Sequence, residues 1–278
     1  MPKKLLFGTA GIPFSTKNRS TENGIKKIKE LNLECMELEF VHSVNITKER
    51  CPEVKSVAEK TGVELTVHAP YYINLNAIEK PKIHASINRI LSSCRIGNLC
   101  GAKSVTFHAG FYMKQEPEKV FDKIKSGVKE IEKKLQDENI SIWLRPETTG
   151  KKTQWGSLEE IVSLSEEFDL VLPCIDFSHL HARSAGKNNS KQEFESILSL
   201  VEKKLGKKAL NEMHMHLSGI NYSDKGERNH LILKESDMNY KELLQVLKDF
   251  NVKGWLICES PNLEEDALLL KKTFEELK

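Results

Sequence analysis

The run EMHMHLSG, from Glu212 to Gly219, places two histidines two positions apart among apolar residues. Residues two apart in a strand point to the same face. His214 and His216 therefore share one side of a buried strand, and the partner they face decides what the strand is for. Working outward, seven more short β-rich runs appear. They are LLFGTA from Leu5, CMELEF from Cys35, ELTVHA from Glu64, SVTFHA from Ser104, SIWLRP from Ser141, LVLPCID from Leu170 and GWLICE from Gly254. A charged segment of helical period follows each run. The apolar stripe is clearest in VFDKIKSGVKEIEKKLQ from Val120 and in EDALLLKKTFEEL from Glu265. Eight β-then-α units without a long linker predict a closed (β/α)8 TIM barrel, a single domain over residues 1–278. An open doubly wound sheet is the alternative. It more often carries a glycine-rich phosphate turn after its first strand, and GTAGIP from Gly8 is not GxGxxG. The longest irregular stretch, SGINYSDKGERNHLILKESD from Ser218, follows the seventh strand and is expected to be a loop on the active face.

Composition narrows the function. No apolar run approaches the roughly 20 residues a spanning helix needs, so no membrane association is expected. The basic then apolar start, MPKKLLFGTAGIP, reads as a first strand rather than a signal peptide, and a cytoplasmic location is expected. A net charge of +2 neither requires nor excludes a nucleic-acid partner. The six cysteines show no CxxC spacing and read as reduced packing residues.

The strand ends carry the chemistry. The third run ends in His68 and the fourth in His108. Glu147 closes the fifth, Asp176 closes the sixth with His179 and His181 just beyond, and Glu259 closes the eighth. In a barrel these ends, with His214 and His216, converge on one mouth, and His230 reaches it from the seventh loop. Taken singly, a strand-end histidine is more often a hydrogen-bonded core residue, and an aspartate or glutamate is often a helix cap. Taken together, so many buried ionisable groups would destabilise one another without compensating cations. Imidazole and carboxylate without paired thiols suit zinc or manganese. A carboxylate such as Glu147 is suited to bridging two ions, the arrangement used in phosphoester hydrolysis.

In this ordered set the chain resembles the endonuclease IV family of apurinic/apyrimidinic endonucleases, within the wider xylose isomerase-like barrels. The resemblance runs through HAPYYINL at His68, FHAG at His108, PETTG around Glu147, CIDFSHLHA at Cys174, HLSG at His216, ERNH at Glu227 and ICESPN at Ile257. It implies a site of two to three metal ions, mainly zinc with manganese as the second choice, that cleaves DNA on the 5′ side of abasic sites. His68, His108 and Glu147 would hold one ion. Glu147 would bridge to a second, held also by Asp176, His216 and Glu259. His179 and His230 would belong to a third. Glu259 and Glu147 would be catalytic, and Tyr71 would contact the DNA. His214 and His181 are then extra, the former a layer deeper.

Three departures from the family pattern stand out. The third ion ordinarily takes an Asp-x-His pair, but Arg228 stands two before His230. Glu227 is the expected substitute, and Asp224 a poorer one. Strand two carries an unexpected Glu37 and Glu39 on one face, which Arg145 is expected to neutralise from strand five. The segment FVHSVNITKER offers no clear basic DNA-recognition loop. A monomeric, metal-dependent phosphodiesterase acting on abasic DNA is the leading reading. A sugar or sugar-phosphate isomerase or epimerase on the same barrel is the alternative, and a non-catalytic binding barrel the third.

Overall fold

The computed structural model describes residues 2–277. Strand and helix alternate along the chain. β1 (Leu5–Ala10) leads to α1 (Thr21–Glu30), β2 (Cys35–Glu39) to α2 (Cys51–Thr61) and β3 (Glu64–His68) to α3 (Lys80–Cys100). β4 (Ser104–Phe107) is followed by the short β5 (Gly110–Phe111) and α4 (Pro117–Asp137). β6 (Trp143–Pro146) is followed by β7 (Gln154–Trp155) and α5 (Leu158–Ser165). β8 (Cys174–Asp176) runs into α6 (Phe177–Arg183) and then α7 (Lys191–Asn211), which is kinked at Gly206. β9 (Met213–Leu217) leads into β10 (Gly219–Ser223), β11 (Gly226–Leu231) and α8 (Tyr240–Asp249), and β12 (Gly254–Cys258) into α9 (Glu264–Glu276).

The eight strands expected from the sequence form one parallel sheet in the order β6-β4-β3-β2-β1-β12-β9-β8. The ends meet through single bridges, Leu144 with Val171 and Glu147 with Cys174, so eight parallel strands form a nearly closed TIM barrel with helices outside it. The sixth strand is shorter than LVLPCID suggests. Only Cys174–Asp176 is regular, because Pro173 has no N–H to give to a ladder.

Two apolar regions hold this frame. The larger lies between the sheet and the helices and includes Val67, Val105, Leu144, Ile175, Met215 and Leu256. The smaller gathers Leu6, Cys35, Trp255 and Ile257. Burying each large apolar side chain contributes about 1.5–3 kcal/mol, which offsets the polar groups buried above. All six cysteines are buried and free. Among the described residues no helix is long and apolar enough to cross a membrane.

The stretch after β9 is not an irregular loop. β10 and β11 pair antiparallel as a hairpin, turning through Asp224 and Lys225 into Gly226. Gly226 has φ +99°, a conformation that glycine adopts without the steric cost of a Cβ. The hairpin docks on the chain after β6, where Glu227 N donates to Gly150 O at 3.0 Å. Its far edge is tied down by Tyr222, whose hydroxyl donates to Asp237 Oδ2 at 2.6 Å.

Candidate metal centre

Strand alternation sends Glu37, His68, Glu147, Asp176, His214 and His216 toward the barrel axis, where all are buried. With His108, His179, Glu227, His230 and Glu259, four of them (His68, Glu147, Asp176 and His216) produce three groups of nitrogen and oxygen atoms close enough to share an ion. His68, His108 and Glu147 form the first. Glu147, Asp176, His216 and Glu259 form the second, and His179, Glu227 and His230 the third. Within each group the ligand atoms lie within 4.8 Å of one another. Glu147 belongs to two groups. Its Oε2 faces His68 Nε2 at 3.3 Å and His108 Nε2 at 3.2 Å. Its Oε1 faces His216 Nδ1 at 3.3 Å and His179 Nδ1 at 3.2 Å.

Local structure fixes which nitrogen each ring presents. His68 Nδ1 lies 2.8 Å from Ala69 O, His179 Nδ1 3.0 Å from Thr148 O and His230 Nδ1 3.2 Å from Glu259 O. A carbonyl accepts only, so each Nδ1 donates its proton there and each Nε2 is the nitrogen left to face the site. His216 is turned the other way, with Nδ1 at the site, 3.2 Å from Glu259 Oε1. Asp176 serves two ends. Oδ1 accepts from His179 N at 2.7 Å and caps α6, as the DFSH turn suggests. Oδ2 is buried without a hydrogen-bond partner, as is Glu147 Oε2. Unpartnered carboxylate oxygens amid imidazole nitrogens are the donor set that a zinc-like cation fits.

The electrostatics agree. Burial opposes charge on His68, but the Glu147 contact and the Glu39 and Glu147 charges outweigh it and raise its pKa to about 10. Burial likewise opposes charge on His179, and Asp176 and Glu147 more than reverse it. Burial lifts Glu259 to about 7, with Glu147 and Asp176 adding to the rise and His216 opposing it. The carboxylates of this mouth draw in positive charge. Cys174 lies close to His214 and His216. Burial pushes its thiol up to about 12, so it stays a neutral packing group.

The remaining sequence candidates fall elsewhere. His214 sits below the mouth, against Glu37 and Ser104. His181 faces away, 3.0 Å from Asp237. Tyr71 is 58% exposed on the loop after β3, its ring 5.7 Å from that of His68. Asp224 lies exposed at the hairpin turn. Arg145 does not neutralise the strand-two acids. Its guanidinium donates to Pro173 O at 3.1 Å and Glu212 O at 2.5 Å, because it reaches down toward the starts of β8 and β9. Glu37 faces His214 and His216 instead. In the loop after β2, Arg50 is held by Glu22 at 2.6 Å, which leaves Lys48 as the exposed basic side chain of the stretch.

The site opens into a pocket of about 360 Å³ lined by Tyr71, Phe111, Lys151 and Gln154 with the ligand groups. The sequence profile of the xylose isomerase-like TIM barrels matches residues 25–278. The chain belongs to that family. It is 46% identical to an uncharacterized protein of Methanocaldococcus jannaschii, over 98% of each chain. It is 28% identical to a probable endonuclease 4 of Oceanobacillus iheyensis, over 55% of this chain and 51% of that protein. The match to a probable endonuclease 4 of Staphylococcus aureus, also 28% identical, covers 63% of this chain and 58% of that one. The chain thus spans little more than half the length of the endonuclease 4 proteins it matches. Endonuclease IV from Thermus thermophilus superposes with a TM-score of 0.72 at 18% identity, covering 96% of both chains. A D-tagatose 3-epimerase-like protein superposes with a TM-score of 0.74 at 19% identity, also over 96% of both. At such identities these two share the fold, and the chain is a divergent member of a family of enzymes.

Proposed function

We propose that this protein is a metal-dependent phosphodiesterase of the endonuclease IV kind, cleaving DNA on the 5′ side of abasic sites. One observation carries the reading: three groups of nitrogen and oxygen ligands stand side by side, two of them joined through Glu147. His68, His108 and Glu147 would hold the first ion; Glu147, Asp176, His216 and Glu259 the second; His179, Glu227 and His230 the third. Zinc suits this donor set best, and manganese is the second choice. Close ions of this kind lower the pKa of water and offset the charge that builds on a phosphate. The chain supplies the rest. Glu259, beside His216, orients the attacking water and accepts its proton. Lys151 on the pocket wall is placed to bind a phosphate. Tyr71, exposed beside His68, packs against the DNA at the lesion. The similarity to endonuclease 4 proteins supports the choice of substrate over a sugar. The protein would act in the cytoplasm as a monomer built of one barrel domain, with damaged DNA as its partner.

Elemental analysis after exposure to zinc and manganese tests the reading. At least two ions per chain are expected to survive desalting. A well-folded protein that keeps less than one ion would overturn it.

A further inference from the structure

Glu37 belongs to none of the ligand groups at the mouth, yet it is fully buried on β2. An isolated carboxylate so placed costs several kcal/mol, so its surroundings must answer it. Its Oε1 lies 3.0 Å from His216 Nε2 and its Oε2 lies 3.0 Å from His214 Nε2. Thr66 Oγ1 donates to Oε2 at 2.8 Å. The two ring contacts are at hydrogen-bond distance with each N–H off the line to the oxygen.

A ring nitrogen that faces an ionised carboxylate must carry the proton, because a lone pair there would face an acceptor. Both Nε2 atoms are therefore protonated. For His214 the other nitrogen is served by Ser104 Oγ at 3.0 Å, whose hydroxyl proton it accepts. For His216 the consequence reaches the mouth. Its Nδ1 faces carboxylates as well, Glu147 Oε1 at 3.3 Å and Glu259 Oε1 at 3.2 Å, so by the same rule both nitrogens carry protons until a cation takes the place of the one on Nδ1. With a cation there, the single remaining ring proton lies on Nε2, on the side of Glu37.

We propose that Glu37, anchored by Thr66 and flanked by His214, is a positioning residue that holds His216 as its Nε2–H tautomer and so commits Nδ1 to the second metal. This rests on the metal-centre reading above. Carboxylate–histidine–metal relays orient a ligand ring and raise its basicity, and losing the outer carboxylate typically weakens metal binding 10–100-fold. Glu37 does not touch substrate. It acts through His216.

Nitrogen-15 NMR of the imidazoles in zinc-loaded wild-type protein reads the tautomer directly. His216 is expected with its proton on Nε2 and zinc on Nδ1. Glu37→Gln offers one acceptor and one donor where two acceptors stood, so one ring must face an N–H. Its zinc affinity, measured by competition with a chromophoric chelator, should fall about 10–100-fold at one site. Thr66→Val should lose much less. Should Glu37→Gln not fold, the wild-type tautomer decides alone. Zinc bound with the His216 proton on Nδ1, or unchanged zinc affinity in folded Glu37→Gln, overturns the role of Glu37 and leaves the metal centre standing. A wild-type protein that binds no zinc overturns both.

Discussion

Gly150→Ala should damage the third ligand group and spare the other two. A Cβ at Gly150 would stand 2.7 Å from Glu227 Cβ, 2.8 Å from Glu227 Oε2 and 3.0 Å from His179 Cδ2. Ordinary contact begins at 3.4 Å, so Glu227 Cβ must retreat by about 0.7 Å (3.4 less 2.7). The backbone cannot yield easily, because Glu227 N is bonded to Gly150 O. Metal ligands tolerate displacements of only about 0.2 Å. Overpacking of this kind costs about 1–3 kcal/mol, or roughly 5- to 150-fold in affinity if it falls on the bound state. Calorimetric titration of zinc into metal-free wild type and variant measures this. The variant should lose its weakest ion and keep two. Three ions bound with wild-type affinities would refute the assignment of Glu227 and His179 to one site. Equal weakening of every ion would refute the separation of the groups.

Other outcomes follow from the same contacts. Glu227→Gln should remove the same ion as Gly150→Ala without steric strain, since an amide is a poor replacement for an anionic ligand; an unchanged stoichiometry counts against a ligand role. His216→Ala should lose metal from the second group while zinc still binds at His68 and His108, seen as a lowered ion count in the folded variant. Tyr71→Ala should weaken binding to an abasic duplex and leave metal content intact, and unchanged affinity would mark the ring as loop packing. Burial works against the charge on Glu34, but Lys271, Lys4 and Phe7 N hold its pKa below the ordinary 4.5. Its folded value is thus lower than its unfolded one, so its stabilisation is complete above 4.5 and fades as pH falls through the lowered value. Urea unfolding should show Glu34→Gln losing less stability than wild type over that acid range.

The barrel was legible because its strands are short β-rich runs buried on both faces and most end in, or just before, a histidine or carboxylate out of keeping with a core. Glu259 after GWLIC and Asp176 after CI announce strand ends by charge alone. His214 and His216 were separable by depth, since residues two apart on β9 occupy successive layers. The hairpin β10–β11 was missed. Its signal was present in DKG, a turn sequence with glycine where φ must be positive, but the flanking strands are polar and half exposed and lack an apolar alternation. The partner of Arg145 was hidden for another reason. Sequence gives the face on which a side chain lies but not whether a long one reaches up or down the axis, and Arg145 reaches down to two carbonyls. Glu37 was visible as an oddity, and only the register of β2 against β3, with β9 across the barrel, reveals the two histidines it faces.

The most direct test is cleavage of an end-labelled duplex bearing one abasic site by the zinc-loaded protein, with a chelator-treated sample beside it. The account predicts a single break on the 5′ side of the lesion, abolished by the chelator and restored by zinc. An intact duplex under metal-loaded conditions, with epimerisation of a free ketose by the same sample, would contradict it.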